Sequence, residues 1–255
     1  MSFLTDNPKK VVEIRINLYY LHINALRKTN LYSKNQAYIS LFLIKTFRHL
    51  LLKFRCWMMI VTNLILENEV VLLRLLQQSD LEYLLPFSIN EPELWKYSLV
   101  RANGRRNLEN YITIAGEGQS KLTDFPFIVF DKRKQEYAGS TRFYDINFAY
   151  KTLQLGYTWY GKNFQGTGLN KHCKYLLLEY AFETLAMERV EFRADNANQR
   201  SKAAMLSIGC KVDGVLRSDM PTFESDVRRD SIVLSILKDE WFHEVKANLK
   251  AKLSD

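Results

Sequence analysis

Gln165-Gly166-Thr167-Gly168-Leu169-Asn170 stands between a strand-like run, Leu153 to Tyr160, and an amphipathic helical pattern that continues to about Leu185. A strand, a double-glycine turn and a helix in this order call for a sheet strand that hands over directly to a helix packed on the sheet. Two glycines let backbone come close to a ligand, and the helix that opens there points unpaired N–H groups and the positive end of its dipole outward. The result is a cradle for an anion, most often phosphate or pyrophosphate. Two other phosphate-binding patterns fail on the same residues. A Walker-type loop needs Gly-Lys-Ser/Thr at its end, whereas Leu169 and Asn170 follow the second glycine here; a dinucleotide fingerprint needs a third glycine, and Lys171 occupies its place.

The remaining periodicities surround this turn with an α/β domain. Val70 to Leu76 is a short apolar strand, and Ser79-Asp80 offers an N-cap to a helix with Leu81, Tyr83, Leu84 and Leu85. A second helix, about Asn107 to Ala115, gathers Leu108, Tyr111, Ile112 and Ala115 on one face. Phe125 to Phe130 and Tyr137 to Phe148 read as strands joined by the turn Asp131-Lys132-Arg133-Lys134, with Leu153 to Tyr160 as the third strand of this meander. The helix after the glycines carries an apolar stripe of Leu169, Cys173, Leu176, Leu177, Tyr180, Ala181 and Thr184. Arg189 to Asp195 alternates strictly, with Val190, Phe192 and Ala194 on one side. Asn198 suits the N-cap of a helix running to Ile208, where Gly209 supplies a left-handed end. Lys211 to Arg217 and Ser231 to Leu237 complete the strands, and a final helix with Trp241 begins at Lys238.

Charge is unevenly placed. Residues 1–62 hold ten Lys/Arg against two acids, and the rest of the 255 residues holds 26 of each. Residues 63–255 are therefore the expected main domain, neutral overall, with no nucleic acid expected as its partner. Residues 1–62 form a basic N-terminal segment with two readings. It is either an amphipathic arm that touches anionic lipid or RNA, or a non-native extension upstream of a start at Met58 or Met59; the second is favoured because Met59 sits just before the first strand of the domain. No membrane span is expected, because the longest uncharged stretch near the boundary, Cys56 to Leu66, has 11 residues where about 20 are needed. The start lacks the apolar core of a signal peptide. Cys56, Cys173 and Cys210 have no metal spacing, and His22, His49, His172 and His243 form no ligand pair, so no metal is expected and reduced thiols in the cytoplasm are the simplest setting.

A strand, a Gln/Arg-x-x-Gly-x-Gly/Ala loop on a helix N-terminus, and then a strand and a helix opening with Asn resemble the core of the Gcn5-related N-acetyltransferase (GNAT) superfamily. The loop here is a shortened match, with Asn163 where the family's first Gln/Arg usually stands. Further pieces resemble the ribosomal-protein N-acetyltransferase branch, the RimJ/RimL-like proteins. They are Leu155-Gly156-Tyr157 with Trp159, Tyr180-Ala181-Phe182, Glu188-Arg189-Val190, Asn198-x-x-Ser201, Ile208-Gly209-Cys210, Gly214-x-Leu216-Arg217, Arg229-Asp230 and Glu240-Trp241. The resemblance covers about residues 67–241. It implies the GNAT (acyl-CoA N-acyltransferase) fold, a mixed, mostly antiparallel twisted sheet with helices on both faces. It also implies acetyl-CoA as donor co-substrate and a primary amine as acceptor, in a monomer or homodimer. The CoA pyrophosphate is then expected on Gly166, Thr167, Gly168, Leu169 and Asn170, with Gln165 beside them. Pantetheine is expected against free backbone edges near Trp159 and Tyr160, like an added strand, with Asn198 in contact.

Acetyl transfer needs a neutral amine, an oxyanion stabiliser and a proton for the departing thiolate. Glu191 and Asp195, on the polar side of their strand, are the candidate bases; their other reading is a carboxylate ion-paired beside Arg193. A backbone N–H at the end of the strand before the loop is the expected oxyanion donor. Many superfamily members protonate the thiolate with a tyrosine seven residues after the Asn, where Met205 stands here. Ser201 matches the serine that lies near the sulfur in the RimJ/RimL-like branch, and it could equally be a first-turn hydroxyl. Tyr157 and Trp159 line either an acceptor pocket or the core, and His172 meets either phosphate or solvent. The expected activity is transfer to a protein N-terminal α-amine. The alternatives are a small amine (polyamine, aminoglycoside or amino-acid-like) and, in another class, an acyl-CoA-binding module without transfer. The acceptor segments carry no decodable pattern, although Asp219, Glu224 and Asp226 would suit a cation.

Overall fold

Phe125–Asp131 (β3) is almost wholly apolar and buried along its length, the mark of a central strand covered on both faces. Consecutive side chains show the two covers. Ile128 joins the cluster that holds Leu84, Leu108, Tyr111, Ile112 and Ala115, from the helices α1 (Leu81–Asn90) and α2 (Arg105–Ser120). Phe127 turns the other way onto Phe143, which stacks on Tyr180 at the end of α3 (Leu169–Glu179). The fold is thus one open sheet between two layers of helix, the architecture the sequence resemblance implies, in a computed structural model that describes residues 64–222 and 227–253. The expected N-terminal arm, and Glu224 and Asp226 of the expected acceptor loop, lie outside the described residues.

The eight strands run in the order β1-β2-β3-β4-β5-β6-β8-β7. They are β1 (Ile65–Glu67), β2 (Val71–Leu75), β3, β4 (Glu136–Asn147), β5 (Thr152–Tyr160), β6 (Arg189–Asp195), β7 (Lys211–Pro221) and β8 (Arg228–Leu237). Every neighbouring pair is antiparallel except β5 and β6, which run parallel and pair only from Thr152↔Arg189 to Gln154↔Glu191. Beyond Gln154 the two strands separate. Between them the chain passes through the glycine turn and α3, and α4 (Gln199–Ser207) follows β6.

Several expectations hold to within a residue or two. Leu108, Tyr111, Ile112 and Ala115 are the buried face of α2, β6 alternates as expected, and the Asn198 carboxamide accepts the Ser201 N–H at 3.1 Å. Others need correction. Asp80 does not cap α1 through its side chain. Its buried carboxylate takes the Arg74 guanidinium at 2.6 and 2.8 Å and the Gln77 N–H at 2.8 Å, and a charge-assisted fork outcompetes a neutral cap. The α3 stripe is also broader than expected. A π-helical turn at Tyr180–Thr184 advances the phase by a residue, which buries Phe182 and exposes Thr184. Trp241, fully buried, covers a second flank from 5.9 Å at Tyr175 and 5.7 Å at Phe182. β1 was too short to show a period. β7 runs past its expected end at Arg217 because this exposed edge strand has no apolar alternation to display.

Candidate functional site

The glycine turn has the geometry of an anion cradle. Gly166 has φ +73° and Gly168 φ +81°, left-handed values that disfavour any side chain, and a Cβ on either would meet nothing within 4 Å. Gly168 is the N-cap of α3, and its carbonyl accepts the Lys171 and His172 N–H groups. The N–H groups of Gly166, Thr167, Gly168, Leu169 and Asn170 donate to no described residue. Five successive amides, open space over both glycines and a helix dipole behind them suit a pyrophosphate without rearrangement.

The turn is braced from four directions. Gln165 donates from Nε2 to the Tyr160 carbonyl at 2.7 Å and accepts Arg200 Nη1 from α4. The Thr167 hydroxyl donates to the Phe164 carbonyl. Tyr160 donates to the Asn170 side chain at 3.3 Å. The β3–β4 turn adds two cations that its sequence pattern announced only as a turn. Arg133 Nη1 donates to the Thr167 carbonyl at 3.1 Å, and Lys134 donates to the Asn163 carbonyl at 2.7 Å while lying over the Phe164 ring. Arg133 is itself held by Asp131 at 2.8 Å. Burial pushes that carboxyl up, but the hydrogen bonds and charge of Arg133 outweigh it and leave it below the usual carboxylate value. A run of Asp, Lys, Arg and Lys is a common solvated turn, so only the fold's placement of it beside the glycines distinguishes these two cations.

The gap between β5 and β6 starts after Gln154. A bulge in β5 falls here, where the register against β4 shifts between Ser140 and Arg142 and Tyr157 takes φ +49°. Tyr157 and Trp159 both pack into the cluster under α1 and α2. Trp159 is buried against Trp95 and Phe87 with its indole N–H unpartnered, and Tyr157 packs edge-on to Tyr111 and Tyr144. Strand alternation turns the Trp159 carbonyl toward Gly139 of β4 and leaves the Tyr160 N–H facing the gap. The Tyr160 carbonyl is taken by Gln165, so of the free backbone edge expected there only the donor stays open.

Across the gap, Glu191 bonds Arg193 at 2.7 Å and Arg189 at 3.2 Å, an ion-paired carboxylate. Asp195 accepts the Ala197 N–H at 2.8 Å and closes a turn. Ser201 sits in the first turn of α4, its N–H capped by Asn198 and its hydroxyl bonded to no described residue. His172 is buried, bonded at Nδ1 by the Asn68 amide, and held below its ordinary pKa by that burial. On the α2 side, the Arg142 guanidinium lies 4.3 Å from the Tyr157 ring centroid and bonds Asp124 at 3.3 Å, a buried cation that periodicity could not reveal. No cluster of three His, Cys, Asp or Glu suited to a metal occurs among the described residues, and no helix among them is long and apolar enough to cross a membrane.

Residues 71–211 match a family model described as "Acetyltransferase (GNAT) domain". A Bacillus subtilis (strain 168) protein named "Putative ribosomal N-acetyltransferase YdaF" is 28% identical over 180 residues, covering 68% of this chain and 94% of that protein. A solved structure described as a "putative acetyltransferase" from T. thermophilus is 32% identical, with a TM-score of 0.65 over 74% of this chain and 96% of its own. A ribosomal-protein-S5-alanine acetyltransferase from Vibrio fischeri shares the fold at a TM-score of 0.58 and 19% identity, covering 70% of this chain and 99% of its own.

Proposed function

The chain belongs to the GNAT acetyltransferase family and is an N-acetyltransferase, and on that premise we propose that it acetylates the α-amine of a protein N-terminus. Members of this family use acetyl-CoA. We assign its pyrophosphate to the Gly166–Asn170 amides and its pantetheine arm to the β5–β6 gap, within a transferase unit of residues 63–255. Bound there, acetyl-CoA supplies the thioester that the amine attacks. Gln165 and Arg133 hold the glycine turn in shape for the diphosphate, and the Tyr160 N–H offers the arm a strand-like hydrogen bond. A β5 N–H at the bulge serves as oxyanion donor. Ser201, with a hydroxyl free of internal partners, and Asn198 at the head of α4 flank the thioester end of the gap.

The observation that carries the choice of acceptor is the state of the two carboxylates. Glu191 is tied to two arginines and Asp195 to a backbone turn, so neither stands ready to strip a proton from a strongly basic amine. An α-amine, with an ordinary pKa of about 7.7–8.0, is already substantially neutral near physiological pH, whereas a lysine amine at about 10.4 is not. The ribosomal N-acetyltransferase name carried by the Bacillus relative supports a protein rather than a small molecule as acceptor. The test offers the full-length chain acetyl-CoA with peptides that have a free or blocked N-terminus, each with and without an internal lysine, beside a panel of polyamines and aminoglycosides. Acetylation confined to free α-amines supports the reading. Turnover only on lysine side chains or small amines refutes it.

A further inference from the structure

A second group at the β5–β6 gap has no part in holding the glycine turn. Lys174, on the face of α3 that meets the sheet, is 5% exposed and makes no ion pair with any described residue. Its Nζ donates to the Thr158 hydroxyl at 2.8 Å and to the Thr141 hydroxyl at 3.3 Å, and lies 5.9 Å from the Phe192 ring centroid. Thr158 belongs to β5 and Phe192 to β6, so the amine spans the underside of the gap just beyond the last paired residues, Gln154 and Glu191. Thr158 is exposed, placed by the bulge at Tyr157. The titratable groups facing Lys174 are the buried thiols Cys173 of its own helix and Cys210 after α4, both pushed up to about 12 by burial and therefore uncharged. An ammonium with no counter-charge, joined to the gap through one exposed hydroxyl, has no structural purpose that a methionine would not serve better.

We propose that Thr158 delivers the proton taken up by the departing CoA sulfur, with Lys174 as the positioning residue that resupplies it. This rests on the placement of the pantetheine arm proposed above. As the C–N bond forms and the C–S bond breaks, the Thr158 hydroxyl proton passes to sulfur and an Nζ proton passes to the Thr158 oxygen, leaving Lys174 a neutral amine. The acceptor nitrogen loses its surplus proton to solvent, and Lys174 recovers one from solvent before the next turnover. Thr141 can donate to the Thr158 oxygen across their 2.8 Å contact, so the Thr158 proton rests on the Gly156 carbonyl through a long 3.3 Å bond and must turn from it to reach the sulfur. Burial lowers the Lys174 pKa to about 8, near the value of about 8.5 for an ordinary thiol, the match that makes proton transfer between them efficient. The relay takes the thiolate-protonating role that Met205 cannot fill and for which Ser201 is the candidate that the sequence resemblance offers.

The test measures kcat and KM across pH for the full-length chain and for Thr158→Val, Thr158→Ser, Lys174→Met and the double variant, and titrates the thiol of bound CoA by its ultraviolet thiolate absorbance. Thr158→Val and Lys174→Met should each lower kcat by roughly 10²-fold with little change in KM for acetyl-CoA, and the double variant should be no worse than the poorer single one. Thr158→Ser should restore kcat. Bound CoA should titrate below its free value in the wild type and at its free value in Lys174→Met. Retention of kcat by Thr158→Val, a loss confined to KM, or identical thiol titrations would overturn the relay alone. Failure of the wild type to bind CoA would overturn the CoA site and the relay together.

Discussion

Replacing Lys174 by methionine should make the protein more stable at neutral pH. Burial holds the Lys174 ammonium at a pKa of about 8, against about 10.4 in an unfolded chain. Between those values the unfolded chain keeps a proton that the folded chain has released, so the wild type gains stability as pH rises through that window. Below about pH 8 both states are protonated, and the full cost of burying the charge, about 3 kcal/mol, is present. Lys174→Met removes that cost. The unbranched thioether fills nearly the same path, and Thr141 and Thr158 keep their 2.8 Å bond to one another, so no hydroxyl loses its last partner. Some of the gain is offset by imperfect packing, which leaves a net of about 1–3 kcal/mol near pH 7 and little near pH 10. Urea unfolding of the full-length wild type and variant at both pH values reads the difference directly. A variant less stable than wild type near pH 7, or a difference that does not shrink toward pH 10, refutes the reasoning. Together with the kinetic loss expected from the same variant, a gain in stability would mark a group kept for activity at a cost to the fold.

Gly168→Val places a branched side chain at φ +81° and should cost about 1–2 kcal/mol; calorimetry should also show weakened acetyl-CoA binding, and wild-type affinity would sink the assignment of the cradle. Arg133→Gln removes the partner of fully buried Asp131 and one brace of the turn. The Asp131 carboxyl, now held below its ordinary pKa, contributes stability above about pH 4 that is lost as pH falls through its folded value. The variant should therefore unfold at higher pH in an acid titration, with a raised KM for acetyl-CoA, and unchanged acid unfolding would contradict this. Asn198→Ala deletes the 3.1 Å cap to the Ser201 N–H and should lower stability by about 1 kcal/mol, while Asn198→Asp keeps the cap and should not; melting temperatures decide between them.

What could be read from the sequence was what periodicity and turn chemistry encode. The β6 alternation, the buried face of α2, the Asn198 cap and the left-handed helix end at Gly209 follow from local rules that tertiary packing then reinforces. The π-helical turn at Tyr180–Thr184 was not legible, because Trp241 packs on that flank from the far end of the chain and the helical period before it gives no sign of the slip. The Asp80–Arg74 fork was missed because a cap signature describes six residues and not the guanidinium arriving from the strand before them. At the candidate site the two-glycine turn at a helix N-terminus was legible, since Gly166 and Gly168 carry their own conformational meaning. Lys174 was hidden. A lysine inside an amphipathic helix reads as a solvated position, and only the crossing of α3 beneath the β5–β6 gap reveals it as buried.

The most direct test of the account is release of CoA thiol from acetyl-CoA by the full-length chain, with and without a peptide carrying a free N-terminal amine. Peptide-dependent thiol release is expected, with one acetyl group on the peptide α-amine for each thiol freed, and loss of that activity in Gly168→Val. No thiol release with any amine, from a folded chain that binds no acetyl-CoA, would contradict it.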